Sequence, residues 1–159
     1  MNLKANKPLT VLEIKIKMEA WCAYQERSHF DTRIKLKSYS LTDTEIEFII
    51  AELISNNFLN EERFACAYAR GKFRIKKWGK NKILSGLRAH RISEYCIKKA
   101  MKEIDDEEYL QTLTSILKSK SILIKEKNPF HKKIKLTRFA LSRGFENDLI
   151  QDCLTEIVN

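Results

Sequence analysis

Glycine and proline are scarce, with four and two among 159 residues. That poverty argues against a turn-rich β fold and against a low-complexity chain. Long apolar runs are missing as well, since no stretch approaches the roughly 18 to 20 residues needed to cross a bilayer. The start, MNLKANKPLTVLEIKIK, has neither a sustained apolar segment nor a small-residue cleavage site, so a cytoplasmic chain with no membrane partner is expected. Four cysteines occur, but Cys22, Cys66, Cys96 and Cys153 form no C-x-x-C pair, and no histidine stands at zinc-finger spacing. They are predicted to be reduced core thiols. His29, His90 and His131 are equally isolated. No phosphate-cradling glycine loop, H-E-x-x-H or G-x-S-x-G motif is present, so the sequence points to a protein without cofactor, metal or catalytic activity.

What is present favours helices. Hydrophobic residues make up 43% of the chain, and Lys, Glu, Leu and Ile dominate, a composition that predicts an all-α fold. Ile14, Met18 and Trp21 mark one face of a first helix. Ser28 opens a second, anchored by Leu36, and Thr42 with Glu45 spells the capping box of a third. Ile46, Ile49, Ile50 and Leu53 form its apolar stripe. The pattern then recurs. Leu36, Leu41, Ile46, Ile49, Ile50 and Leu53 align, fifty-one residues on, with Leu87, Ile92, Ile97, Ala100, Met101 and Ile104. A further shift of fifty-three gives Ala140, Phe145, Ile150, Cys153, Leu154 and Ile157. Polar residues precede each final helix: Thr42, Ser93, and Glu146 or Asn147. Each unit also begins with its own stripe, namely Ile14, Met18 and Trp21, then Phe64, Tyr68 and Ile75, then Leu110, Leu113 and Leu117.

The expected architecture is three tandem three-helix repeats, about nine helices in an elongated, curved, right-handed array. The boundaries are a tail over 1–9, then repeats over 10–59, 60–104 and 105–159. The acidic cluster Asp105, Asp106, Glu107 and Glu108 suits a helix start better than a metal site, because carboxylates there offset unpaired amides. Pro129 suits the first turn of the following helix.

Charge is distributed unevenly. Cutting at Leu59 and Ile104 gives eight basic and eight acidic residues, then thirteen and four, then nine and nine. The formal net charge of +9 therefore falls in the middle third. From Arg63 to Ile92 there are ten Lys or Arg and no Asp or Glu, which makes a local field attractive to a polyanion. Arg63, Arg70, Arg74 and Lys77 are spaced to share one side of the fourth helix, with Phe64, Tyr68 and Ile75 on the other. Lys80 and Lys82 head the fifth helix, whose first-turn amides could receive an anion. Trp78 offers core packing, base stacking or a protein contact.

The run FLNEERFACAYARGKFRIKKWGKNKILSGLRAHRISEYCIKKAM resembles the central region of the RecX regulatory proteins. The family features fall on Phe58, Leu59, Glu62, Arg63, Phe64 and Ala65, then on Gly79, Ile83, Leu87, Ile92, Ser93 and Ile97. LTRFALSRGF, from Leu136 to Phe145, resembles the phrase of the third unit, and Arg27, Ser28 and Leu36 that of the first. The chain departs from the pattern at Glu62, Arg91 and Ala140, where the family has Asp, Gly and Leu. Arg91 stands where a helix end often uses glycine.

The resemblance implies a monomeric modulator, generally an inhibitor, of the RecA recombinase filament on single-stranded DNA, acting in repair, recombination and the SOS response. DNA, single-stranded and also double-stranded, would be bound without sequence preference. The expected surface for RecA or nucleic acid is Arg63, Arg70, Lys72, Arg74, Lys76, Lys77, Trp78, Lys80, Lys82, Arg88 and Arg91. The alternative is a helix-turn-helix DNA-binding transcription regulator, separable by its sequence preference.

Overall fold

The computed structural model describes residues 7–158 and is all-helical among them, as predicted. Most of the expected tail, residues 1–6, lies outside the described residues. The elements are α1 (Val11–Tyr24), α2 (His29–Lys37), α3 (Asp43–Ser55), α4 (Glu61–Arg74), α5 (Lys80–Ala89), α6 (Glu94–Met101), α7 (Asp106–Leu123), α8 (Pro129–Ser142) and α9 (Asn147–Ile157). They divide into two compact units, one ending at Phe64 and the other starting at Ala65.

Local chemistry accounts for the helix starts. Thr10 with Glu13 and Thr42 with Glu45 close reciprocal capping boxes on α1 and α3. The Ser28, Ser93 and Asp105 side chains accept from the amides of Asp31, Cys96 and Glu108. Asn128 caps α8, whose first residue is Pro129. The acidic cluster is thus a helix start, as its sequence position suggests.

The repeat register is a register of burial. Of its eighteen positions, Leu41, Met101 and Ile157 are half-buried and all the others are buried. Two of the leading stripes are corrected. Ile75 lies beyond the end of α4 and is 79% exposed, while Phe73 takes the core position. Leu110 is 45% exposed, and Tyr109 is buried in its stead. Phe73 follows buried Ala69 by four residues and Tyr109 precedes buried Leu113 by four, in helical register with the core, whereas Leu110 is turned about 100° from Tyr109 and Ile75 follows the end of α4.

In the first unit, Ile14, Met18, Cys22, Leu36, Ile46, Ile49, Ile50, Leu53 and Leu59 form one core. Burial pushes the Cys22 thiol up to about 11, so it stays a neutral core group. His29 begins α2, with its Nε2 buried and without a hydrogen-bond partner among the described residues. Desolvation holds its pKa below the usual histidine value, against the opposing pull of Glu61.

In the second unit, α4 to α6 and α7 to α9 are joined through backbone. The Gly79 amide donates to the Arg143 carbonyl at 2.7 Å, and the Asn81 amide donates to the Gly144 carbonyl at 2.9 Å. A Cβ on Gly79 would fall 2.3 Å from the Gly144 carbonyl carbon and 2.3 Å from the Phe145 nitrogen. One on Gly144 would fall 2.3 Å from Lys82 Cβ, and Gly144 also has φ of +91°. Beside this contact the Tyr109 ring lies 5.8 Å from Phe73 and 5.1 Å from Phe145. Its hydroxyl accepts from the Lys80 amide at 2.9 Å and donates to the Glu146 carboxylate. Burial, and then that carboxylate, raise the Tyr109 pKa far above the ordinary phenol range. Glu146 therefore serves Tyr109 and not the α9 amides.

Arg91 repeats the Gly144 conformation with φ of 55°. The bond from the Ile92 amide to the Leu87 carbonyl matches that from Phe145 to Ala140, both at 3.2 Å. The turn is therefore retained despite the missing glycine.

Two predictions follow from packing and burial. Gly79→Ala and Gly144→Ala should each cost about 2 to 4 kcal/mol in denaturant unfolding, because backbone must move to admit the methyl. Gly71→Ala, which meets nothing within 4 Å, should instead stabilise α4 by about 0.5 to 1 kcal/mol. For His29, the folded pKa lies below the unfolded one, so the unfolded chain binds the proton more readily. Its contribution to stability should be complete above pH 6.5 and fall away as pH drops through the unfolded value toward the folded one. A His29→Leu variant should show a weaker loss of Tm below pH 6.5 than the parent; an unchanged slope would exclude His29 as the source.

Candidate functional site

The basic stretch occupies α4, the turn after it, and α5. Helix α4 stops because Lys77 adopts a left-handed conformation, φ 57°, while its amide still reaches the Phe73 carbonyl at 3.0 Å. The reversal brings the Trp78 amide to the Lys72 carbonyl at 3.1 Å. Two ammonium groups lie against the half-buried Trp78 ring, Lys72 Nζ at 4.8 Å and Lys82 Nζ at 4.5 Å from its centroid. Lys72 Nζ is also 5.3 Å from the Tyr68 ring. Such contacts fix both lysine stems while leaving their charge unneutralised.

The expected single stripe is corrected, since acidic partners are supplied from elsewhere in the chain. Arg70 pairs with Glu103 at 3.0 Å, Arg74 with Glu108 at 3.7 Å, Lys80 with Asp106 at 3.0 Å and Arg88 with Glu94 at 3.5 Å. Arg63, in the first unit, pairs with Glu26 and donates to Asn57 and its carbonyl. Lys77 is not on α4 at all. Partly exposed pairs of this kind contribute at most about 1 kcal/mol each, but they cancel the local field.

Lys72, Lys76, Lys77 and Lys82 remain. Among the described residues no carboxylate lies within ion-pair distance of any of them. Lys76 and Lys77 immediately precede Trp78 in the chain, and the other two lie against its ring. Arg143 joins them, donating to the Lys76 carbonyl at 3.0 Å with its guanidinium 5.2 Å from the Phe139 ring. It was not among the sequence candidates, because only the fold brings the α8 end to the α4 turn. Arg88 and Arg91 sit at the far end of α5, about 15 Å of helix away from Lys80. The expected anion site at the start of α5 is also overturned. The amides of Gly79, Lys80 and Asn81 already donate to Arg143, Tyr109 and Gly144, so those three cannot receive a ligand.

The arrangement suits a polyanion, with several cations holding phosphate or carboxylate groups around a flat ring. No group of three or more His, Cys, Asp or Glu able to hold a metal is present among the described residues. No described helix is long and apolar enough to cross a membrane.

Comparison with known proteins agrees with this architecture. Family models for the second and third three-helix domains of RecX match residues 60–101 and 106–154, together more than half of the chain. Regulatory protein RecX of Bacillus mycoides (strain KBAB4) is 20% identical over 138 residues, 87% of this chain and 51% of that protein. Regulatory protein RecX of Bacillus anthracis (strain A0248) matches with the same identity and coverage. The chain thus spans about half the length of these curated relatives. The crystal structure of RecX from Lactobacillus salivarius has a TM-score of 0.82 at 20% identity, covering 92% of this chain and 95% of that one. A second crystal structure, of a regulatory protein RecX, gives 0.81 at 18% identity, covering 90% and 72%. With the tandem three-helix domains matched in order and the fold shared with solved members, the chain belongs to the RecX family of regulatory proteins.

Proposed function

We propose that this chain binds the RecA recombinase filament on single-stranded DNA and modulates it, mainly by inhibiting ATP hydrolysis, filament growth and strand exchange. The supporting observation is the pair Lys72 and Lys82 against the Trp78 ring, with Lys76, Lys77 and Arg143 at the adjoining turn, in a chain of the RecX family. Lys72, Lys76, Lys77, Lys82 and Arg143 form no ion pair among the described residues, and a nucleoprotein filament offers phosphate and acidic side chains to meet their charge. Arg63, Arg70, Arg74, Lys80 and Arg88, each paired with a carboxylate, and Arg91, beyond the far end of α5, are secondary in this reading. The chain acts by binding, and DNA contact is without sequence preference.

The test is charge reversal of the unpaired members. Lys72→Glu, Lys77→Glu and Lys82→Glu together break no ion pair, so the variant should keep the parent helicity. The concentration needed to halve RecA ATP hydrolysis on single-stranded DNA should rise about tenfold or more. A folded triple variant that inhibits like the parent removes the cluster from the mechanism. A transcription regulator would instead prefer one duplex sequence about a thousandfold over others, with that preference sensitive to base changes.

A further inference from the structure

The last third of the chain is neutral only as a sum. Between Tyr109 and Phe145 it holds nine Lys or Arg and a single acid, Glu126. Helix α8 concentrates part of this charge beside an apolar face that the core does not use. The core side of α8 is Leu136 and Ala140. On the outer side stand Phe130, Ile134, Thr137 and Leu141, at steps of four, three and four, which is the spacing of a seam made for a second helix. Phe130 is 68% exposed and Leu141 46%, so the seam lacks a partner along much of its length. It borders a concavity of about 480 Å³ lined by Phe130, Lys133, Ile134, Thr137, Arg138 and, from α9, Gln151.

The flanks of the seam decide what fits it. With Ile134 and Leu141 at the a positions and Phe130 and Thr137 at d, Lys133 falls at g and Arg138 at e, the positions that choose a partner by charge. Neither has a carboxylate partner among the described residues, although Glu126 engages nearby Lys135 at 3.4 Å. Gln151 donates to Thr137 Oγ1 at 3.2 Å and helps define the wall of the concavity. A phosphate backbone gains nothing from an isoleucine and phenylalanine floor, and a bilayer surface seeks protruding apolar groups over a recess. We propose that the outer face of α8 docks an amphipathic helix of a protein partner, with apolar residues on its seam and Asp or Glu on both flanks. The occupant is distinct from the polyanion assigned to the Trp78 cluster, and the two surfaces can be tested separately.

The experiment uses the full chain and a fluorescein-labelled peptide about three heptads long, with Leu at a and d and Glu at e and g, whose own glutamates oppose self-pairing. Anisotropy should show it binding at least about tenfold tighter than a peptide with Lys at e and g. Lys133→Glu with Arg138→Glu should weaken binding about tenfold or more, and Phe130→Ala should do the same without changing the helical signal. The Lys72, Lys77 and Lys82 triple variant should bind the acidic peptide within about twofold of the parent. No preference for the acidic peptide, or equal loss in the triple variant, overturns the proposal. So does loss of oligothymidine or anionic-vesicle binding in the Lys133 and Arg138 variant with peptide binding intact. A Phe130-dependent dimer seen by sedimentation would assign the seam to a second copy of this chain.

Discussion

The second unit depends on two backbones touching where no side chain can intervene. Gly79 and Gly144 meet within a distance that a single methyl group would forbid, and the amides beside them close hydrogen bonds across the gap. Around that contact the aromatic series Phe73, Tyr109 and Phe145 fills the core, and the Tyr109 hydroxyl satisfies one donor and one acceptor. A polar group buried in this way stabilises only if both of its bonds are made. The cost of the arrangement is sequence freedom: in a chain with four glycines, two are committed to one contact.

The same contact explains the composition of the basic cluster. Pulling the α8–α9 turn against the α4–α5 turn delivers Arg143 to Lys76, while the α7 start brings Asp106 and Glu108 to Lys80 and Arg74. Folding thus sorts the cations of the middle third into those neutralised inside the unit and those left facing solvent. The unpaired charge of the α4–α5 turn comes from the second group, and from Arg143 of the neighbouring repeat. A charge count along the chain could not make this division.

Much of the fold was legible because it rests on short-range rules. Apolar periodicity, capping residues and the displaced repeat of roughly fifty residues located the helices and their buried faces. Two corrections concern which apolar residue faces the core: Ile75 against Phe73, and Leu110 against Tyr109. Leu110 and Tyr109 are adjacent and about 100° apart on a helical wheel, while Ile75 falls just past the end of α4, and hydrophobicity alone ranks neither choice. The site was less legible. Its pairs, such as Arg70 with Glu103 and Arg74 with Glu108, join residues more than thirty positions apart. The segregated charge of the last third is hidden in a count by thirds, because its nine acids lie mostly at its two ends and cancel in the total.

The chain has two tryptophans, and each unit holds one. The Trp21 ring carries the Arg27 guanidinium at 4.2 Å, whereas the Trp78 ring is bracketed by Lys72 and Lys82. Cations that close shift indole emission, so each unit possesses a built-in optical probe of its own charged neighbourhood. Removing either indole leaves a chain whose indole emission, excited beyond the tyrosine absorption band, reports on the other unit alone, without any added dye.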